Sequence, residues 1–163
     1  MTTDTLRDYG VVRMDDDEIR NFLSSQSVGV LGLPTDDAPV LRPMSFWFDG
    51  ESCIYILYVL GSSSRKAERT DSTAAARFLV YRADTPFNWT SVLLTGSITA
   101  VPERERETIR EDMEIRWRPD VFEQASTSAT TELYRLEIEE QAGVKHLGLP
   151  SGFEPDSSDD QSA

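Results

Sequence analysis

The sequence predicts a mainly β protein, a six-stranded antiparallel barrel with a few flanking helices. Six segments are rich in apolar and β-branched residues and are bounded by Gly, Pro, Asp or Ser, a pattern typical of short strands. The long helix–strand alternation that indicates a parallel sheet is missing. With 163 residues and 39% hydrophobic content, the chain is expected to form one domain with its own core. Six antiparallel strands in one small domain favour a barrel.

The first predicted element is a short amphipathic helix from Asp15 to Gln26. Asp15 is a typical N-cap, and Glu18 follows three residues later, which is the spacing of a capping box. Ile19 and Leu23 stand four residues apart and therefore share one face of the helix.

Three strands are predicted next, at Ser27–Leu33, Pro39–Phe48 and Ser52–Leu60. Pro43 interrupts the second of them and requires a sheet edge or a bulge, because proline has no N–H for the ladder. Asp49–Gly50 is a two-residue hairpin signal, so the third strand should run antiparallel to the second.

The second half of the chain contains three further strands and one helix. Two strands are predicted at Ala74–Arg82 and Trp89–Val101, and Gly96 is placed to permit a bend or bulge in the longer one. Pro102 opens a charged helix with apolar residues at helical spacing. The last strand is predicted at Glu132–Glu139.

Residues 1–149 are therefore assigned to one domain, and residues 150–163 to a disordered acidic tail with too little apolar content to pack. No apolar run approaches the roughly 18 residues needed to span a bilayer. The first ten residues lack the charged-then-apolar pattern of a signal peptide. We therefore expect a cytoplasmic protein without membrane association.

The charge balance is strongly acidic, with 29 Asp and Glu residues against 16 Lys and Arg and a formal net charge of -13. Such a surface resembles those of proteins from salt-loving archaea, in which concentrated salt screens self-repulsion. Nucleic acid is an unfavourable partner because it requires a basic stripe. The acidic runs are better explained as a solvated face than as metal ligands, since no His or Cys stands at ligand spacing, and no metal is predicted.

The inventory of reactive side chains is small. Cys53 lies in an apolar alternating run and is expected to be a buried small residue instead of a nucleophile. His146 is close to the tail and is expected at the surface or at an interface. Acyl transfer and hydrolysis therefore have little support, whereas redox chemistry supplied by a cofactor needs neither group.

A hydroxyl and cation cluster directly follows Gly61 and consists of Ser62, Ser63, Ser64, Arg65 and Lys66. Serines that cap a helix leave its first N–H groups free for an anion, and the two cations add charge-assisted contacts. A capped surface helix with an Arg–Glu pair has the same local pattern. The cluster by itself is compatible with both a phosphate site and a capped surface helix.

The order of these segments resembles the flavin-nucleotide-binding split-barrel family related to pyridoxamine 5'-phosphate oxidase, over roughly residues 14–140. Three short motifs carry the likeness, Arg42–Pro43–Met44–Ser45, Ser64–Arg65–Lys66 and Trp89–Thr90–Ser91. The resemblance implies a split barrel that binds flavin mononucleotide (FMN). It also implies a homodimer in which the Trp89 segment reaches the flavin of the other subunit.

The resemblance assigns cofactor contacts to eleven residues. Those expected to hold the phosphate are Ser62, Ser63, Ser64, Arg65 and Lys66. Those expected beside the ring are Arg42, Pro43, Met44, Ser45, Trp89 and Ser91. Trp89 is equally expected as a barrel-core aromatic.

The sequence does not specify the reaction. The vitamin B6 oxidase of the family ends in an Arg-Leu-x-Pro segment, whereas the nearest match here, Tyr134–Glu137, lacks the proline. One hypothesis is a flavin-dependent oxidoreductase with an unknown small-molecule substrate. The other is a non-catalytic carrier or sensor that binds a flavin nucleotide or deazaflavin F420. Catalytic residues are not assigned under either.

Overall fold

The computed structural model describes residues 10–59, 74–114 and 131–148. These residues form seven strands and two helices. In chain order they are β1 (Val11–Arg13), α1 (Asp16–Ser25), β2 (Val28–Leu33), β3 (Val40–Phe48), β4 (Cys53–Val59), β5 (Ala74–Thr85), β6 (Asn88–Ala100), α2 (Glu103–Glu114) and β7 (Thr131–Leu147). The predicted mainly β barrel is confirmed, with β1 as an additional strand. The predicted tail and the hydroxyl and cation cluster lie outside the described residues.

Six strands close into an antiparallel barrel. The order around it is β7, β4, β3, β2, β5 and β6, and β6 pairs again with β7. Because every pairing is antiparallel, each strand presents alternate side chains to the interior and to the outside. Closure of this kind removes the free sheet edges of an open sheet except along the first part of β3, which does not pair with β4.

Strand β7 is much longer than predicted. The sequence indicated a strand only over Glu132–Glu139, but pairing continues to Leu147. The first half of β7 lies between β4 and β6, and its second half lies between β1 and β6. The added half is exposed over Glu139–Ala142, so it lacks the apolar alternation on which the prediction depended.

The turn between β3 and β4 differs from the predicted two-residue hairpin. Four residues, 49–52, connect the strands, and Phe48 lies opposite Ile54. The Asp49 carboxylate accepts the backbone N–H groups of Glu51 at 2.8 Å, Ser52 at 3.0 Å and Cys53 at 3.1 Å. Asp49 therefore organises the turn through its side chain.

Pro43 occupies the edge position that the sequence required. Pairing between β3 and β4 covers only Phe46–Phe48, so the earlier part of β3 has no strand partner on that side within the described chain. The Phe46 N–H donates to Ser27 O at 2.9 Å. Because antiparallel hydrogen bonding alternates, the backbone groups of Pro43 face away from β2 and its missing N–H costs no ladder bond.

Helix α1 packs against the barrel core and is fixed to β7. Ile19 and Leu23 are buried in the main core cluster. The predicted capping box is present, because Glu18 N–H donates to Asp15 Oδ1 at 2.8 Å and Asp15 N–H donates to Glu18 Oε2 at 3.0 Å. The Glu18 carboxylate also forms an ion pair with Lys145 of β7.

The barrel interior is filled by aromatic and branched side chains from all six barrel strands. Phe46 and Phe78 meet edge to face with ring centroids 5.2 Å apart. Tyr134 is fully buried, and its hydroxyl donates to Glu132 Oε2 at 2.7 Å. The interior is thus a packed core, and any ligand surface must lie on the outside or at an end of the barrel.

Gly96 allows β6 to approach β7 closely. A Cβ at Gly96 would lie 1.8 Å from the Glu137 carbonyl oxygen. We predict that Gly96→Ala lowers the free energy of unfolding by at least about 1–3 kcal/mol, the usual cost of overpacking, measured by urea titration. Gly32→Ala is the matched control, since its nearest contact would be 3.4 Å. Equal stability of the two variants would contradict this account of the closure.

The Glu18–Lys145 pair predicts a pH effect on stability. The Lys145 ammonium and, secondly, the Asp15 N–H lower the pKa of Glu18 from its ordinary 4.5. A carboxyl group whose pKa is lowered by folding stabilises the protein at pH values above its ordinary pKa. This stabilisation is lost as the pH falls through the pKa of the folded state. Glu18→Gln keeps a capping side chain but loses the charge. The difference in unfolding free energy between wild type and this variant should be constant near neutral pH and shrink below pH 4.5.

The control for this experiment is Glu107→Gln, at an exposed position of α2 without an ion pair among the described residues. A Glu18→Gln difference that persists unchanged into strong acid would show that the carboxylate charge does not hold α1 to β7.

Candidate functional site

The outer surface of β3, β2, β5 and β6 is apolar, and we call it the outer face. Directly opposite residues of antiparallel strands share one side of the sheet. One row across it is therefore Pro43, Val30, Leu79 and Leu93, and a neighbouring row is Leu41, Gly32, Arg77 and Thr95. Ser45 with Val28, and Tyr81 with Ser91, continue the face toward the β5–β6 turn.

This face carries large exposed apolar side chains. Leu41 is 64% exposed, and Val28 and Tyr81 are each 56% exposed. Phe87, in the adjoining β5–β6 turn, is also exposed. A contiguous exposed apolar surface of this kind marks a binding site or an interface.

The structure brings some of the predicted ring-binding residues together and separates others. Pro43 and Ser45 of β3 and Ser91 of β6 lie on the outer face. Arg42 and Met44 alternate to the opposite side of β3, where Met44 packs against the core cluster and Arg42 is exposed. The predicted phosphate residues, Ser62, Ser63, Ser64, Arg65 and Lys66, lie outside the described residues.

The edge of β3 adds backbone groups to the outer face. The backbone N–H and C=O groups of Arg42 and Met44 point toward β2. Those of Leu41 and Pro43 alternate with them, so the carbonyl oxygens of Leu41 and Pro43 point away from β2. Pairing with β4 begins only at Phe46, so within the described chain these carbonyls have no strand partner. They face outward beside Ser45, whose hydroxyl both donates and accepts.

A groove of about 520 Å³ opens at one end of the outer face. Its described lining is mostly apolar and includes Leu41, Leu79 and Leu93, with Gly32 between them. Arg77 and Thr95 supply its polar side chains. The volume falls within the roughly 300–1,000 Å³ typical of small-molecule clefts.

His146 lies at the other end of the outer face and is buried in the single chain, so the surface alternative of its prediction is wrong. It is 6% exposed and lies opposite Trp89 on β6 and Val11 on β1. Its Nδ1 lies 2.7 Å from the Phe87 carbonyl oxygen, an acceptor, so Nδ1 carries the proton. The imidazole ring lies 5.9 Å from each of the Phe87 and Trp89 rings.

This cluster determines how Trp89 is held. Trp89 is half-buried outside the barrel, so its alternative assignment to the barrel core is wrong. The sequence gave no periodic signal for His146, because its burial depends on β1 and on the turn at Phe87, which are distant in sequence.

Cys53 does not show the environment of a reactive thiol. It is half-buried beside Tyr55 and Trp47 on the outer side of β4. Burial raises the pKa of the Cys53 thiol, against a hydrogen bond with Ser52 that lowers it. A raised pKa reduces the thiolate fraction, so the expected structural role is retained. Within residues 10–59, 74–114 and 131–148, no group of three His, Cys, Asp or Glu residues is arranged to hold a metal ion.

A family model described as pyridoxamine 5'-phosphate oxidase matches residues 15–145, most of the chain. The chain belongs to this family. The match agrees with the extent of the predicted resemblance and includes every barrel strand except the last two residues of β7. Comparison with curated proteins finds no match.

Solved structures share the fold of this pyridoxamine 5'-phosphate oxidase family member. An FAD-binding protein from Mesorhizobium loti has a TM-score of 0.68 at 19% identity, covering 85% of this chain and 98% of that one. An FAD and heme binding protein from Mycobacterium smegmatis has a TM-score of 0.68 at 18% identity, covering 86% and 75%. The flavocytochrome Anf3 from Azotobacter vinelandii has a TM-score of 0.63 at 18% identity, covering 89% and 73%. At these identities the likeness establishes the fold.

Among the described helices of this family member, none is long and apolar enough to cross a membrane.

Proposed function

We propose that this protein binds a flavin nucleotide, FMN, and acts as a flavin-dependent oxidoreductase on a small molecule. The observation that carries the proposal is the outer face, which carries Pro43 and Ser45 on β3, Ser91 on β6 and an exposed apolar surface between these strands. Membership of the pyridoxamine 5'-phosphate oxidase family supports the same cofactor class. A bound flavin supplies the two-electron redox chemistry, so the chain needs to bind and orient it.

The available groups fit the two ends of such a ligand. An apolar face suits the flat ring system, and the free carbonyl edge of β3 with the Ser45 hydroxyl suits a polar ring edge that donates and accepts hydrogen bonds. For the phosphate we assign the hydroxyls of Ser62–Ser64 and the cations of Arg65 and Lys66. Similar structures from Mesorhizobium loti and Mycobacterium smegmatis are FAD-binding proteins, so FAD is the first alternative ligand.

We further propose a homodimer formed through the end of the outer face that carries Val28, Tyr81 and Phe87. These side chains are exposed in the single chain, and a twofold interface would remove them from water. Trp89, held against His146 at the same end, would then face the second subunit. Each subunit carries a net charge of -13, so self-repulsion opposes association and salt should strengthen it.

The phosphate assignment predicts a difference between two ligands. Arg65→Ala and Lys66→Ala should each weaken FMN about ten- to a hundredfold, the value of one charge-assisted contact of roughly 1.5–3 kcal/mol. Riboflavin, which lacks the phosphate, should be hardly affected. Calorimetric titration with FMN, riboflavin, FAD and a deazaflavin measures both effects at high salt.

Equal losses for FMN and riboflavin would mean that these two residues act on the fold or on the ring and not on the phosphate. A wild-type protein that binds none of the four ligands would contradict the proposed function itself.

The dimer proposal predicts that Tyr81→Glu dissociates the protein. The substitution places a carboxylate in the interface twice, once per subunit, and burying each charge costs several kcal/mol. We expect a roughly hundredfold or greater rise in the dimer dissociation constant, measured by light scattering at low and multimolar salt. Tyr81→Phe keeps the apolar ring and should remain dimeric.

Leu147→Glu is a second control, because Leu147 is also exposed but follows His146 and so alternates away from the outer face. A wild-type monomer that binds FMN with full affinity at high salt would contradict the shared-site dimer.

A further inference from the structure

The groove of the outer face contains one charged group among its described lining residues, the guanidinium of Arg77. Arg77 lies between Gly32 of β2 and Thr95 of β6 in one row across the sheet. It is absent from the ion pairs formed among the described residues, whereas Arg20, Arg82, Arg135 and Lys145 each contact a carboxylate. Arg13, Arg42, Arg104, Arg106 and Arg110 likewise form no ion pair among the described residues, so what distinguishes Arg77 is its place in the groove.

Acidic residues outnumber basic ones 29 to 16 in the chain, and Arg77 has no ion-pair partner among the described residues. The groove lining includes Leu41, Leu79 and Leu93 and no carboxylate, while Glu140 of β7 lies opposite Thr95 and continues the row of Arg77. Arg77 is exposed, and its planar guanidinium can donate two parallel hydrogen bonds to a carboxylate. The groove therefore has the charge that complements an anion.

The shape of the groove favours a small ligand over a protein surface. The β2–β3 loop contributes Pro34 and Pro39 to one wall, and the sheet forms the other side. Gly32 leaves the centre of the row open: a Cβ there would lie 3.4 Å from Leu41 Cδ2 and 3.6 Å from the Arg77 carbonyl oxygen. These are close to ordinary contact distances, so the space over Gly32 admits an additional group in contact with Leu41.

We propose that the groove binds a small organic acid, with its apolar body over Gly32 and its carboxylate on Arg77. The hydroxyl of Thr95, directly opposite Arg77, is a second donor for the carboxylate. Val30 and Leu79 line the groove and also belong to the row of Pro43, so the acid lies beside the surface assigned to the flavin. The role of the acid as substrate rests on the proposed function, but its binding does not.

The experiment uses the full chain and benzoate as the probe, with benzamide as its uncharged counterpart. Calorimetry should show that benzoate binds more tightly than benzamide. Arg77→Gln should weaken benzoate about tenfold or more and leave benzamide unchanged, because it removes the charge-assisted contact. Arg77→Lys keeps the charge but not the fork and should fall between wild type and Arg77→Gln. Gly32→Ala should weaken both probes, because its methyl group takes up ligand space.

Three results would overturn the proposal: no benzoate binding by the wild type, equal benzoate affinity of wild type and Arg77→Gln, or a change of oligomeric state in Arg77→Gln. The last would mean that Arg77 pairs with a second copy of the chain. Circular dichroism verifies the fold of each variant, and Gly32→Ala provides an independent test that leaves Arg77 in place.

FMN titrations separate this proposal from the proposed function. Arg77→Gln should bind FMN like the wild type, because Arg77 is not among the residues assigned to the flavin. Benzoate binding without FMN binding would contradict the flavin proposal alone, and FMN binding without benzoate binding would contradict the acid site alone.

Discussion

The pairing of β6 with β7 is the interaction on which the rest of the structure depends. It closes the barrel and then continues past it, so that the same two strands also carry the Trp89–His146 cluster and the site where β1 is added. This continuity requires a register shift, with Thr95 opposite Glu140 and Gly96 opposite Ile138. The extra residue, Glu139, accepts the Ser97 hydroxyl at 2.8 Å. A bulge bends the strand, which lets one long strand serve two different neighbours.

Strand alternation decides which residues the outer face can use. Arg42, Pro43, Met44 and Ser45 are consecutive in sequence, yet only Pro43 and Ser45 share the side that carries Ser91. The other two serve the opposite side, where Met44 packs against the core. The side chains of this four-residue motif therefore lie on two opposite surfaces. Its backbone hydrogen-bonding groups point sideways, in the plane of the sheet.

Most of the fold could be predicted from local sequence signals. The capping box at Asp15, the edge position of Pro43 and the bulge at Gly96 each follow from the chemistry of a single residue and its near neighbours. The second half of β7 and the burial of His146 could not, because both depend on β1 and the Phe87 turn, which come together only in the folded chain. For the site, strand alternation places Pro43, Ser45 and Ser91 of the predicted residues on the outer face, whereas the position of Arg77 in the groove had no sequence signature.

The outer face has two ends with different chemistry, and one row connects them. At the Tyr81 end the surface is apolar and lies beside the buried His146 cluster, which favours association with another apolar surface. At the Arg77 end it is concave and carries a cation, which favours a small anion. Val30 and Leu79 stand between the ends and belong to one continuous antiparallel ladder. A ligand at one end and a second subunit at the other, as proposed, would therefore contact the same strands.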